Sequence, residues 1–265
     1  MGGVVAVALG GSRARGTHRP DSDTDLGLYY RGGLDTAALR ALAAEVADEP
    51  VVVTEPGAWG PWVDGGAWLR IGGQRVDWIY RDLDRVSAVW ADCRAGRYTV
   101  GQQNGHPLGF YSHAYAGEVA LCRVLADPTG ELAGLRAATA DYPQALTEAL
   151  LRGLWGADFA VRLAGYAIGA ADAAYAAGCL FQAVGVACHA LHGHARQWLI
   201  NEKGMVAATG RLPVAPAGFA EHAQRVLGAV GGSSADLAGT VEAAADLIAA
   251  VRAATDQPPA AGLPA

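Results

Sequence analysis

Val4-Val5-Ala6-Val7-Ala8-Leu9-Gly10-Gly11-Ser12-Arg13-Ala14-Arg15-Gly16, followed after a polar loop by Asp23-Thr24-Asp25-Leu26-Gly27-Leu28-Tyr29-Tyr30, is the stretch that decides the reading of this chain. Residues 4–9 form an unbroken apolar, β-branched run that ends in paired glycines, the pattern of a buried strand delivered into a tight turn. Glycines in such a turn lack the Cβ that would keep a phosphate away from the backbone N–H groups. Residues 24–30 read as a second strand, with Leu26, Leu28 and Tyr30 on one face and Asp25, Gly27 and Tyr29 on the other. Period-two geometry sends Asp23 and Asp25 to the same face, toward the glycine turn. An Asp-rich turn capping a hairpin would use the same residues. A divalent cation, which selects carboxylate oxygens and offsets their repulsion, is the alternative.

Working outward, residues 34–48 show helical spacing behind Asp35 as a cap. Residues 51–53, 67–71 and 75–80 read as short strands, the last two joined by a Gly72-Gly73 hairpin, and residues 83–94 as a helix. In the strand around residue 77, Asp77 stands alone between Val76 and Trp78, and an Asp among apolar neighbours calls for a partner. Beside an Asp-x-Asp strand in the same sheet, it would complete a three-carboxylate site for two metal ions. Residues 101–110 read as a loop connecting two halves. Beyond it strand signals give way to helices over about 112–125, 142–168, 170–200, 219–228 and 234–253, a bundle. The expected division is therefore a mixed-sheet domain over 1–105, a helical bundle over 106–256 and a flexible tail over 257–265, an α+β chain.

The order Leu9-Gly10-Gly11-Ser12, then Ser22-Asp23-Thr24-Asp25-Leu26, then Val76-Asp77-Trp78 resembles the DNA polymerase beta-like nucleotidyltransferase superfamily, and the helical second half resembles bacterial aminoglycoside and lincosamide nucleotidyltransferases. The resemblance implies that Gly11 and Ser12 bind triphosphate. It also implies that Asp23 and Asp25 hold two Mg²⁺ ions, and that Asp77 holds one of them and helps deprotonate the acceptor. It further implies transfer of a nucleoside monophosphate, from ATP or another NTP, to a hydroxyl of a small acceptor such as an aminoglycoside. Nucleotidylation of a protein or RNA partner and a catalytically silent nucleotide-binding module are the alternatives. Family members usually carry a helix before the first strand, whereas here the strand begins almost at Met1.

Outside these motifs, Arg13 and Arg15 follow the turn, and a guanidinium meets phosphate oxygens through paired hydrogen bonds. Lys203 is the only lysine in the chain and is expected at the end of a long helix, where it either reaches a triphosphate or complements the helix dipole. Glu118 and Glu148 are candidate bases for the acceptor; Glu148 is also spaced to pair with Arg152. His189, His192 and His194 lack ligand spacing and read as a polar patch at the bundle edge. Trp59, Trp62, Trp68 and Trp78 read as core, with stacking on a base or sugar as the alternative.

The composition sets bounds on all of this. Hydrophobic residues make up 52% of the 265, enough to bury a core, and the net charge of −6 argues against gripping long nucleic acid by its phosphates. No basic, apolar leader opens the sequence, and residues 167–186, though apolar, are interrupted by Asp172 and Gln182, as in a buried bundle helix. Four scattered cysteines without a C-x-x-C pair point to reduced thiols and a cytoplasmic location.

Overall fold

In the computed structural model, residues 2–256 are described; Met1 and the expected tail over 257–265 lie outside them. Strand β1 (Val4–Leu9) runs into a four-residue helix, α1 (Gly11–Ala14), and the chain returns antiparallel to it as β2 (Thr24–Tyr30). Helix α2 (Thr36–Val46) starts at Asp35, whose side chain accepts from Ala38 N at 2.9 Å, and buries Leu39 and Ala43. After a long loop, β3 (Gly66–Ile71) and β4 (Gln74–Asp82) form the expected hairpin, and α3 (Leu83–Arg94) follows directly. Residues 51–53, expected as a strand, are irregular.

The sheet order is β3-β4-β2-β1-β7, the last strand being Arg123–Ala126, and β2 and β4 are its parallel neighbours. One face carries Leu28, Ala67, Leu69, Val76, Trp78 and Tyr80, which pack with Leu39 and Ala43 of α2 as one core. The opposite face carries Asp25, Asp77 and Trp68, and further along Tyr29 and Arg81. Its far half is closed, since Tyr29 is 3% and Arg81 5% exposed.

Residues 101–110 are not the expected connecting loop. They lie largely in a hairpin of β5 (Val100–Gln103) and β6 (His106–Tyr111). The helix expected over 112–125 is shorter, α4 (Ala114–Leu121), and gives way at once to β7 (Arg123–Ala126), which pairs antiparallel with β1, and then to α5 (Glu131–Thr139). The boundary expected at 105 is corrected accordingly: the first compact unit comprises Met1–Cys93 and Tyr98–Asp141, because β7 completes its sheet.

The second unit comprises, among the described residues, Arg94–Arg97 and 142–256, and it is helical: α6 (Gln144–Arg152), α7 (Trp155–Tyr166), α8 (Ala173–His194), α9 (Met205–Thr209), α10 (Phe219–Gly228) and α11 (Ser234–Ala254). Helix α8 is long and apolar enough to cross a membrane by length and composition, and 61% of its most apolar window is buried within the protein, as in a bundle core. Thr147 Oγ1 donates to Gly193 O at 2.8 Å and ties α6 to α8, while Arg252 and Asp158 pair across α11 and α7.

Candidate functional site

The site begins where β1 ends. Gly10 N donates to Asp25 O at 2.8 Å, so the turn is pinned to the second strand beside its carboxylate. Gly11 has φ +60°, the left-handed region that favours glycine, and a Cβ there would fall well inside contact distance of Asp25 Oδ2. The turn thus lies directly against the carboxylate, and only a glycine fits. Ser12 follows within α1, its carbonyl accepting from Thr17 N at 3.0 Å.

Parallel pairing of β2 with β4 places Asp25 opposite Asp77, on one face of adjacent strands. Asp23 precedes β2 by one residue, and its Oδ1 lies 2.6 Å from Arg75 Nε of β4. Burial, then the charges of Asp25 and Asp23, push the Asp77 carboxyl up to about 6, with Arg75 opposing. A carboxyl so raised is short of positive charge.

This donor set fits a divalent cation: all-oxygen ligands, on one face, with mutual repulsion that a cation would relieve. Among the described residues, however, no three such side chains form a ready-made ligand set, and Asp23 is engaged with Arg75. A cation bound by Asp23 would therefore compete with Arg75, whose Nη2 also donates to Asp21 O at 2.8 Å. The sequence offered no signal for Arg75, because its pairing depends on strand register.

The other expected residues fall in different places. Arg13 is engaged in structure: its Nε donates to Asp23 O at 3.1 Å and its Nη2 to Ser22 O at 2.7 Å, fixing the loop that carries Asp23. Arg15 is exposed beside the turn, donating from Nε to Gly11 O at 3.2 Å. Glu118 belongs to α4 in the first unit, not to the bundle, and meets Arg81 through two contacts of 2.6 and 2.8 Å. Arg81 also donates to Val63 O and Tyr80 O, so Glu118 is the counterion of a buried guanidinium. Glu148 is exposed on α6 in the second unit, with Arg152 4.0 Å away as its spacing predicts. Lys203 is exposed in the same unit but does not end a helix, since α8 stops at His194 and Arg196 turns into the left-handed region at φ +53°. His189 and His192 are interior rather than at a bundle edge, and burial pushes His192 down to about 4. Trp78 is core as expected, whereas Trp68 is 66% exposed.

Residues 1–59 match the family model of the nucleotidyltransferase domain, a span that contains Gly11, Ser12, Asp23 and Asp25 and stops short of Asp77. No curated protein matches the chain. A crystal structure of a nucleotidyltransferase-like protein from Exiguobacterium sibiricum is similar over 96% of this chain and 72% of that one, at 11% identity and a TM-score of 0.40.

Proposed function

We propose that this chain transfers a nucleoside monophosphate, AMP from ATP, to a hydroxyl of a small acceptor, with release of pyrophosphate. One observation carries the reading: the Gly10-Gly11 turn, Asp25 and Asp77 are neighbours in register on one sheet, within a segment whose first part matches the nucleotidyltransferase domain.

The turn would take the terminal phosphates through the backbone N–H groups at Gly11 and Ser12. Arg13 holds the 22–23 loop in place, and Arg15, exposed beside the turn, would meet phosphate oxygens. Asp23 and Asp25 would hold the two Mg²⁺ ions, with Asp77 on one of them. Bound there, the ions would neutralise the triphosphate and lower the pKa of the acceptor hydroxyl. Asp77, which is paired with Asp25, would receive the acceptor proton. The rest is positioning, which phosphoryl chemistry mainly requires.

The net charge of −6 suits a cationic acceptor of the aminoglycoside kind. Four free, buried cysteines favour a reducing, cytoplasmic setting. The test is mass spectrometry after incubation with each NTP, Mg²⁺ and a panel of hydroxyl-bearing small molecules. A gain of one nucleotide monophosphate on an acceptor supports transfer, and no gain with any NTP refutes it.

A further inference from the structure

Across the sheet, the register continues past Asp77. Asp77 is paired with Trp68 of β3, so the turn, Asp25, Asp77 and Trp68 form one row on one face. Directly paired side chains in an antiparallel ladder stand about 5 Å apart at Cβ. Trp68 is 66% exposed, and Trp59 stacks on it with ring centroids 4.3 Å apart and planes 15° from parallel. The second indole is held there. It lies over Gly66, where a Cβ would come within 2.9 Å of Trp59 Cζ3. Its backbone is fixed on both sides of the Cα: Trp59 N donates to Asp64 O at 3.0 Å and Gln103 Nε2 donates to Trp59 O at 2.6 Å. Gln103 is itself buried, and its Oε1 accepts from Trp62 N and Val63 N. The β5–β6 hairpin therefore anchors the loop that braces an outward-facing indole beside a carboxylate.

Resting on the nucleotidyl-transfer reading, we infer that the Trp59–Trp68 pair is the seat of the acceptor, and that the acceptor presents a sugar ring bearing an amino group. Displacement at phosphorus requires the attacking and leaving oxygens to lie roughly in line. With pyrophosphate on the Gly11-Ser12 turn at one end of the row, the hydroxyl must enter from the other end, and the indole pair stands there. The acceptor oxygen forms its bond to the α-phosphorus as the bond to pyrophosphate breaks, and its proton leaves toward Asp77. A flat indole face packs against the C–H face of a sugar ring. An ammonium over that face gains from the ring quadrupole and from the neighbouring Asp77 charge.

Calorimetry on the full chain with Mg²⁺ tests this with three probes: the non-hydrolysable α,β-methylene analogue of ATP, kanamycin as an amino sugar, and sucrose as a neutral one. Kanamycin is expected to bind more tightly than sucrose and to lose at least tenfold in affinity in Trp68→Ala, recovering most of it in Trp68→Phe. The analogue should bind within twofold of its wild-type affinity in both variants. Kanamycin binding unaffected by Trp68→Ala, analogue affinity lost tenfold in that variant, or neither sugar binding the wild type would each overturn the inference. If the analogue fails to bind the wild type at all, the nucleotidyl-transfer reading itself fails, a result separate from the other three.

Discussion

Replacing Asp77 by Asn in metal-free protein removes a charge while keeping the shape of the side chain, and its effect on stability follows from the surroundings. Burial and the adjacent Asp25 and Asp23 raise the Asp77 carboxyl from an ordinary 3.8 to about 6. For an acid whose folded pKa is raised, the folded state holds the proton longer than the unfolded chain. Stability therefore falls as pH rises from about 4 to about 6, and the penalty is complete above that window. Two units correspond nominally to about 3 kcal/mol, and because Asp77 is only half-buried, screening reduces this to roughly 1 kcal/mol. Asp77→Asn should then raise the melting temperature in EDTA at pH 8 by about 2–4 °C for a chain of this size. At pH 3, where the wild-type carboxyl is largely protonated in both states, the two proteins should melt nearly together. Paired thermal melts at pH 3, 6 and 8 read this directly, since titrating groups that do not interact with Asp77 cancel in the difference. A variant that melts below wild type at pH 8, or a difference independent of pH, refutes the like-charge description of the site. The same variant should have no transferase activity, so the residue would be one that costs the empty protein stability and serves only the loaded one.

Gly11→Val cannot be accommodated without displacing the Asp25 carboxylate, so binding of Mg–nucleotide should be lost in a titration while the circular dichroism spectrum stays that of wild type. Glu118→Gln leaves the Arg81 guanidinium, 5% exposed, without its counterion and should cost about 3 kcal/mol in a denaturant melt; an unchanged midpoint with lost turnover would return Glu118 to the role of base. A fragment ending at residue 141 keeps β7 on β1 and should give dispersed amide resonances, whereas one ending at residue 110 exposes the β1 edge and should aggregate. Equal solubility of the two fragments would show that β7 is not needed to complete the sheet.

Much of this was legible because it is local. The β1 run, the glycine turn, the Asp35 cap and the β3–β4 hairpin each announce themselves within a few residues, and each is found where the pattern places it. What failed was either a weak local signal or a long-range pairing. The Asn104-Gly105 pair, with Gly105 at φ +85°, is a hairpin turn signal sitting in a stretch whose Gly, Gln and Pro content reads as loop. Val124 and Leu125 of β7 extend the apolar spacing of α4 and so read as helix, although they pair with β1 more than a hundred residues earlier. No Gly or Pro follows the end of helix α8, where Arg196 itself takes the left-handed turn, and that misplaced Lys203. Arg75 with Asp23, and Arg81 with Glu118, join residues 52 and 37 positions apart and depend on strand register or tertiary packing.

The same face of the sheet differs in charge between its two ends. Asp25 and Tyr29 alternate on β2 with Asp77 and Arg81 beside them on β4, so nothing in the period-two pattern separates the first pair from the second. The difference is imposed by α4. Its Glu118 neutralises Arg81, and Tyr115 lies beneath the guanidinium, its ring centre 5.4 Å away, which closes the far half of the face. The near half gathers the carboxylates of Asp23, Asp25 and Asp77, with Arg75 beside Asp23, and the Asp77 carboxyl is raised by burial and by the other two. A sheet that pairs one end of a face internally and gathers carboxylates at the other suits, on the function proposed above, a metal-bound anion at that end.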